Sequence, residues 1–190
     1  MTHAFPVLID RNTLLTRIQE LADALSRRLA DPPPVFVAVV EGARVFTREL
    51  MRRLPVRLPV HEVRAASYGA GTTSSGAVAV TGGEIDVTGR VVVLLEDIVD
   101  TGRTVERLRA WFLGRGAAAV EVVTLLSKPC RRVVEVPLTD VGFVVDDHFV
   151  IGFGMDVAGR FRELPEVVVY DRALDRTASS SPSASATRTD

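Results

Sequence analysis

The predicted fold follows from one stretch of the 190-residue chain, Val91-Val92-Val93-Leu94-Leu95-Glu96-Asp97-Ile98-Val99-Asp100-Thr101-Gly102-Arg103-Thr104. Its first five residues form a wholly apolar run, which is typical of a parallel β-strand buried on both faces. Three carboxylates follow within five residues, and apolar side chains then recur at helical spacing after Thr101. The pattern predicts a strand over Val91 to Leu95 that leads into a helix through an acidic, glycine-containing turn.

The turn after this strand has the features of a phosphate-binding site. In open α/β sheets ligands bind beyond the carboxyl ends of the strands, and backbone N–H groups at a helix N-terminus favour a phosphate. Gly102 permits close backbone approach or a positive φ, and the hydroxyls of Thr101 and Thr104 add donors. Asp and Thr are also ordinary helix caps, but a cap needs at most one of the adjacent acids Glu96 and Asp97. We therefore interpret the turn as a phosphate cradle.

The string from Glu96 to Thr104 closely resembles the phosphoribosyl-pyrophosphate motif of the type I phosphoribosyltransferases. Further segments resemble, in the same order along the chain, those of the hypoxanthine-guanine branch of that family. The resemblance covers roughly residues 5–171 and implies an α/β fold, with a central, mainly parallel sheet flanked by helices and a small hood for the purine. We expect one phosphoribosyltransferase domain over residues 1–172 and a disordered tail, rich in Ala, Ser and Thr, over residues 173–190.

The resemblance implies a purine salvage enzyme. It would transfer the phosphoribosyl group of phosphoribosyl pyrophosphate to N9 of hypoxanthine or guanine, giving IMP or GMP and pyrophosphate. In that reaction Glu96 and Asp97 hold the ribose diol and the shell of Mg²⁺, the implied cofactor, and Asp100 lies near purine N7 as the general base. The cradle residues are expected to bind phosphoribosyl pyrophosphate: Thr101, Gly102, Arg103 and Thr104.

The purine half of the site is assigned by the same resemblance. Lys128, in the string Leu-Leu-Ser-Lys-Pro-Cys-Arg-Arg, is expected to donate to the exocyclic O6 of a 6-oxopurine. Phe149 is expected to stack on the base, and the backbone carbonyl of Val150 to accept from its N1 or N2 side; Ile98 and Met155 complete the predicted purine contacts. Without the flanking match, Lys128 would be interpreted as a solvated charge and Phe149 as a core aromatic.

The pyrophosphate half involves a lid, an acid and an arginine. Residues 67–76 carry too few apolar side chains to pack, so we expect a mobile loop there, and the resemblance places Ser67 and Tyr68 over pyrophosphate. Such a lid would protect the activated ribose from water. Asp156 is implied as a ligand of Mg²⁺ on the pyrophosphate, and Arg162 as a direct pyrophosphate contact.

A second glycine turn, Glu41-Gly42-Ala43, matches the pyrophosphate loop of the family. Purine-salvage members usually have a basic residue where this chain has Glu41, and a carboxylate there would repel pyrophosphate. We therefore expect the amides of Gly42 and Ala43 to bind it, with Arg44 as a neighbouring charge. The family carries a non-proline cis peptide in this loop, and the sequence does not show whether Val40-Glu41 shares it.

Periodicity predicts the remaining elements. Asp10 is a plausible cap for a helix with one apolar face, ended by the prolines at 32–34. Val141 to Asp156 reads as an apolar strand pair interrupted by Asp146-Asp147-His148. The expected core face of the first helix consists of Leu14, Ile18, Leu21, Leu25 and Leu29.

Composition limits the classes of function. A formal charge of −1 gives no bulk electrostatic reason to bind nucleic acid or an anionic membrane. A single cysteine, Cys130, excludes an internal disulfide, and with no apolar leader in residues 1–9 it fits a cytoplasmic protein. We expect a homodimer or homotetramer, whose size the sequence does not give.

Two other functions stay open. One is a sibling enzyme with another base preference, such as xanthine. The other is a regulatory protein that keeps the phosphoribosyltransferase fold and senses a nucleotide or RNA. The near-zero net charge argues against that regulator, whereas Glu41 argues for it because it could mark weakened catalysis.

Overall fold

The structure is a computed structural model that describes residues 4–65, 78–81 and 84–175. The predicted lid residues Ser67 and Tyr68 and the tail from residue 176 onward lie outside these ranges. The elements in chain order are β1 (Val7–Ile9), α1 (Arg11–Ser26), β2 (Val35–Val39), α2 (Arg44–Met51), β3 (Val60–Ala65), β4 (Val78–Thr81), β5 (Val91–Val99), α3 (Arg103–Leu113), β6 (Ala119–Ser127), β7 (Asp140–Val144), β8 (Val150–Ile151) and β9 (Val167–Val169).

A six-stranded sheet in the order β4-β3-β2-β5-β6-β7 forms the centre of the molecule. Strands β3, β2, β5, β6 and β7 are parallel to one another, and β4 is antiparallel at the edge. This arrangement confirms the predicted central, mainly parallel sheet. Because parallel strands end at the same edge, the residues that follow β2, β5 and β6 converge in space.

Helices cover both faces of the sheet. Val93 and Leu95 of β5 pack with α1 and α2 on one face, whereas Val92 and Leu94 pack with α3 on the other. All five residues of β2 are buried, as expected for a strand covered on both sides. The alternation of side chains along β5 therefore joins both halves of the core through one strand.

Helix α1 begins as predicted, because the Asp10 carboxylate accepts hydrogen bonds from the backbone N–H groups of Asn12 and Thr13. Its apolar face is buried at Leu14, Ile18, Leu21 and Leu25. The predicted fifth core position, Leu29, lies beyond the helix end at Ser26, but it still packs against the same core. The prolines at 32–34 follow a helix that has already ended.

Strand β5 is longer than the predicted Val91 to Leu95. It continues to Val99, and Glu96, Ile98 and Val99 pair with Thr124, Leu126 and Ser127 of β6. The strand continues through the polar residue Glu96 because its backbone groups still form hydrogen bonds with β6. These backbone bonds do not depend on whether the side chains are polar or apolar. The acid pair stands on the strand and not in the turn.

The predicted strand pair over Val141 to Asp156 is wrong in its pairing. Strand β7 joins the central sheet beside β6, whereas β8 joins a separate antiparallel sheet in the order β1-β9-β8. This small sheet is the predicted hood, and Ile151 and Val168 of its strands form a hydrophobic cluster with Phe5 and Leu164. Residues between the two strands thus pass from the sheet to the hood.

The folded unit extends slightly past the predicted boundary at residue 172. A 3₁₀ turn spans Arg172–Leu174, and the side chain of Asp175 is buried. Residues 173–175 therefore do not belong to a disordered tail. Within the described ranges, none of the helices has the length and apolar character that a membrane span requires.

Gly102 caps α3 with φ 86°, and a Cβ atom there would lie 2.3 Å from the carbonyl oxygen of Val134. Gly89 has φ 68° with nothing within 4 Å, so it is a matched control for the backbone cost alone. We expect Gly89→Ala to lower the free energy of unfolding by about 1–2 kcal/mol. Gly102→Ala should lower it by a further ~1–3 kcal/mol, because the added methyl group meets backbone. Equal losses in urea unfolding would contradict this account.

Candidate active site

A cleft of about 360 Å³ lies at the carboxyl edge of the central sheet. It is bounded by residues that follow β2, β5 and β6, and by residues of the hood. Most of the residues predicted for the two halves of the site are brought together here. The cleft is lined by Glu41, Gly42, Asp97, Ile98, Asp100, Lys128, Phe149, Val150, Met155, Asp156 and Arg162.

The acid pair is divided by the strand that carries it. Asp97 lines the cleft, whereas the Glu96 side chain is buried, with 6% of the residue exposed, and is not part of the lining. Adjacent residues of a regular strand point to opposite faces, so only the Asp97 carboxylate lines the cleft in this structure. The role of Glu96 as a ribose ligand stays a prediction.

Burial governs the protonation of both acids. Desolvation raises the pKa of Asp97 to about 6, against the lowering effects of backbone hydrogen bonds and the nearby Arg162 guanidinium. Burial raises the pKa of Glu96 well above its ordinary value, and the charge of Asp97 adds to the rise. Among the described residues, Glu96 Oε2 has no hydrogen-bond partner. Burial and the neighbouring Asp97 carboxylate therefore both disfavour the charged form of Glu96.

Gly42 lies in close contact with the Asp97 side chain. A Cβ atom built on Gly42 would lie 1.9 Å from Asp97 Oδ2, so any other residue at this position would force the Asp97 carboxylate to move. The preceding peptide bond, Val40–Glu41, is cis. The glycine of the predicted pyrophosphate loop thus brings that loop against the carboxylate of β5.

Glu41 does not present an uncompensated charge to the cleft. Its carboxylate accepts hydrogen bonds from Arg44 Nη1 at 2.5 Å and from Arg64, while Arg44 also pairs with Glu62. The guanidinium groups of Arg44 and Arg64 balance the negative charge of Glu41. The repulsion of pyrophosphate that was expected from an unpaired carboxylate is therefore reduced. This finding also removes the observation that favoured a catalytically weakened regulator.

The purine side of the cleft combines a buried cation with an exposed ring. Lys128 has 6% of its surface exposed, and its Nζ donates to the His148 carbonyl at 2.5 Å. It is therefore not a solvated charge. Phe149 is 57% exposed and is not a core aromatic, which leaves a ring face open to a planar ligand.

On the opposite side, Asp156 and Arg162 form an ion pair at 2.7 Å. Arg162 Nη1 also donates to the Gly154 carbonyl at 2.8 Å, and Asp156 Oδ2 accepts from the Gly159 backbone N–H. Asp156 and Arg162, which were both assigned to the pyrophosphate half, are thus adjacent. Each side chain is also held by a hydrogen bond to the backbone, at Gly159 and Gly154 respectively.

The predicted phosphate cradle follows directly after Asp100. Helix α3 begins at Arg103, and the carbonyl of Thr101 accepts from the N–H groups of Val133 and Val134 at 3.0 and 3.1 Å. Gly102 is therefore needed for the backbone packed behind it as well as for its positive φ. The cradle residues and Ala43 do not line the cleft itself, so their ligand contacts stay predictions.

Comparison with known proteins identifies the family. The model of the phosphoribosyl transferase domain matches residues 9–158. The chain belongs to the phosphoribosyltransferase family. It is 36% identical, over 169 residues, to the hypoxanthine-guanine phosphoribosyltransferase of Streptococcus thermophilus, an alignment that covers 88% of this chain and 94% of that protein.

Other relatives agree with this branch of the phosphoribosyltransferases. The bifunctional protein TilS/HprT of Listeria monocytogenes is 40% identical over 162 residues, but this chain spans only 25% of its length. A hypoxanthine phosphoribosyltransferase structure from Staphylococcus aureus superposes with a TM-score of 0.80 at 28% identity, covering 89% of this chain and 92% of that chain. A hypoxanthine-guanine phosphoribosyltransferase structure from Bacillus anthracis gives 0.79 at 32% identity, covering 87% and 98%.

One cleft contact in this phosphoribosyltransferase was missed from the sequence. Arg131 Nε lies 3.2 Å from Asp100 Oδ1, and its Nη1 lies 3.5 Å from Asp147 Oδ2. The guanidinium therefore links the proposed base to the turn that precedes Phe149. The only sequence signal was the match of the Lys-Pro-Cys-Arg-Arg string, which gave this arginine no role of its own.

The raised pKa of Asp97 predicts a pH-dependent stability. Because the folded pKa of about 6 exceeds the ordinary 3.8, the folded state binds more protons between these values, and the free energy of unfolding falls as pH rises through this window. In EDTA-containing buffer, Asp97→Asn should therefore gain stability relative to the wild type between pH 4 and pH 7.

Asp86→Asn is the control for this pH experiment. Hydrogen bonds from Thr88 lower the pKa of Asp86, so Asp86→Asn should be less stable than the wild type by a constant amount above about pH 4. This difference should shrink as the pH falls further, which is opposite in sign to the effect at Asp97. Urea unfolding at several pH values measures both effects. If the difference in free energy of unfolding between Asp97→Asn and the wild type did not change with pH, the burial argument would be contradicted.

Proposed function

We propose that this protein is a purine salvage phosphoribosyltransferase. It transfers the phosphoribosyl group of phosphoribosyl pyrophosphate to N9 of hypoxanthine or guanine and releases pyrophosphate, with IMP or GMP as the nucleotide. The observation that carries the proposal is the single cleft in which Asp97 and Asp100 of the phosphoribosyl motif meet Lys128 and Phe149. Family membership and the hypoxanthine-guanine relatives support the same reaction.

The base is recognised by stacking and by one directed donor. The exposed face of Phe149 stacks on the purine, an interaction worth roughly 1–3 kcal/mol for nucleobases in other proteins. Lys128 Nζ has hydrogen-bond donors and no acceptor, so it can donate to a 6-oxo group. A 6-amino group would place a second donor against it. Its bond to the His148 carbonyl fixes the ammonium at the rim of the base site. This chemistry favours hypoxanthine and guanine over adenine.

Asp100 acts as the general base. As N9 forms its bond to ribose C1, positive charge develops on the purine ring, and the proton on N7 becomes more acidic. A nearby carboxylate then needs no unusual basicity to accept that proton. Asp100 lines the cleft, and its pair with Arg131 orients the carboxylate from outside.

The phosphate groups are bound by backbone and by arginine. The N-terminus of α3 offers N–H groups to the 5′-phosphate, and the Gly42 loop offers its amides to pyrophosphate. Arg162 supplies a positive charge beside Asp156 at the pyrophosphate end. Asp97 lines the same cleft as Gly42 and Arg162 and accepts hydrogen bonds from the ribose hydroxyls.

Mg²⁺ fits this donor set when it arrives with the substrate. Asp97 and Asp156 both line the cleft, and the charge of Asp156 raises the pKa of Asp97, so the two carboxylates are close. Within the described ranges, no group of three or more acidic, histidine or cysteine side chains forms a complete metal site. One or two carboxylates plus phosphate oxygens are the usual protein ligands of Mg²⁺. When bound, the ion neutralises charge on the leaving pyrophosphate.

Pyrophosphate release by the purified protein tests the proposed function. With phosphoribosyl pyrophosphate and Mg²⁺ held constant, hypoxanthine and guanine should support release, and adenine should be at least about 100-fold slower. Activity with xanthine alone would instead indicate the sibling enzyme. No base-dependent release from folded protein would reject the enzyme, and nucleotide binding without turnover would indicate the regulator.

Asp100→Asn should keep nucleotide binding but lose turnover by at least about 100-fold, because the amide cannot accept the purine proton. Asp147→Asn is the matched control. Asp147 contacts the same Arg131 but does not line the cleft, so its loss should change turnover by less than about fivefold. Stopped assays of kcat and titration with IMP separate the two effects. Full activity of Asp100→Asn would reject this residue as the base.

A further inference from the structure

An ion pair between the buried carboxylate of Asp175 and the partly exposed Arg160 side chain lies next to the hood. The side chain of Asp175 is only 1% exposed, and its Oδ2 accepts from Arg160 Nη2 at 2.6 Å. Arg160 Nη1 reaches Oδ1 at 3.3 Å, so the guanidinium contacts both carboxylate oxygens. A buried carboxylate with this geometry is held firmly, because breaking the pair would leave a buried charge.

Tyr170 is fixed by this pair at its polar end. Its hydroxyl donates to Asp175 Oδ2 at 3.0 Å. Burial, and then the hydrogen bond to Asp175, raise the pKa of Tyr170, so the phenol stays a donor throughout the neutral range. At the other end, the Tyr170 backbone N–H donates to the Phe149 carbonyl at 2.8 Å.

The Tyr170 ring lies directly against Phe149. The two ring centroids are 5.6 Å apart, with an interplanar angle of 60°. The same tyrosine ring packs on Phe5 and Phe161 at 5.6 and 6.4 Å, which limits its movement away from Phe149. Phe149 is otherwise an exposed side chain on a short connection, and free rotation of its ring would cost entropy when a planar base binds.

We infer that Tyr170, held by Asp175 and Arg160, is a positioning residue that fixes the Phe149 ring in the orientation that stacks on the base. This inference rests on the proposed function, since it assigns Phe149 to the purine. It adds a support that lies outside the cleft, since Tyr170 does not line it. The aromatic pair preorganises the base site and leaves the phosphate half unchanged.

A double-mutant cycle in the full-length protein tests the inference. Tyr170→Leu should raise the KM for guanine or hypoxanthine about two- to tenfold at saturating phosphoribosyl pyrophosphate, the range expected for an edge-to-face aromatic pair. The KM for phosphoribosyl pyrophosphate and kcat should change by less than twofold. In a Phe149→Leu background, Tyr170→Leu should raise the base KM by less than a further twofold, because the Phe149 ring that Tyr170 positions is already absent.

Two variants separate positioning from loss of stability. Val168→Ala removes buried methyl groups from β9, which precedes Tyr170, and from the hydrophobic cluster on which Tyr170 packs, so it should lower Tm without changing the base KM. Tyr170→Phe keeps the ring but removes the hydrogen bond to Asp175, so it should raise the base KM by less than Tyr170→Leu does. It also keeps the inference testable if Tyr170→Leu fails to fold.

The outcomes distinguish the inference from the proposed function. A wild type with no base-dependent turnover would reject both. With an active wild type, any of three results would overturn the inference alone. They are an unchanged base KM in Tyr170→Leu, full multiplication of the two effects in the double variant, and a base KM in Tyr170→Phe that is unchanged or rises as far as in Tyr170→Leu. An equal rise in Val168→Ala would overturn it as well.

Discussion

The parallel pairing of β5 between β2 and β6 is the constraint on which the rest of the structure depends. Eight register pairs tie β5 to β6, and they extend through the acid-bearing end of the strand. Because all three strands run in the same direction, their ends deliver Gly42, Asp97 and Lys128 to one edge. The hood then closes this edge from the side with Phe149. The cleft is thus a consequence of strand direction, with side chains added at the points where strands end.

Electrostatic compensation is distributed around this edge. Glu41 is balanced by Arg44 and Arg64, and Asp156 by Arg162, whereas Asp97 and Glu96 are controlled by burial. Ion pairs at the rim are half-exposed and of low energy, so a phosphate ligand can displace them. The ion pairs at the rim can therefore reorganise when a phosphate ligand binds.

Local sequence predicted those parts of the site that depend on one strand and its following turn. The apolar run, the acids and the glycine of β5 indicated a sheet strand and a phosphate site, and the resemblance extended this to Lys128, Phe149 and Asp156. The prediction ended β5 too early at Leu95, because polarity reports the environment of a side chain and not the backbone pairing that continues to Val99. It also paired two strands that belong to different sheets, since proximity in sequence does not fix strand partners.

The sequence by itself determined the class of fold, the phosphoribosyl motif and the identity of most residues that line the cleft. Only the tertiary structure decided that Glu96 and Asp97 face different environments, that Glu41 is neutralised, and that Arg131 and Tyr170 support the cleft from outside. The reason is physical. Chemical type and local periodicity are written along the chain, whereas burial and charge pairing depend on residues as far apart as Glu41 and Arg64, or Asp100 and Arg131, which only folding brings together.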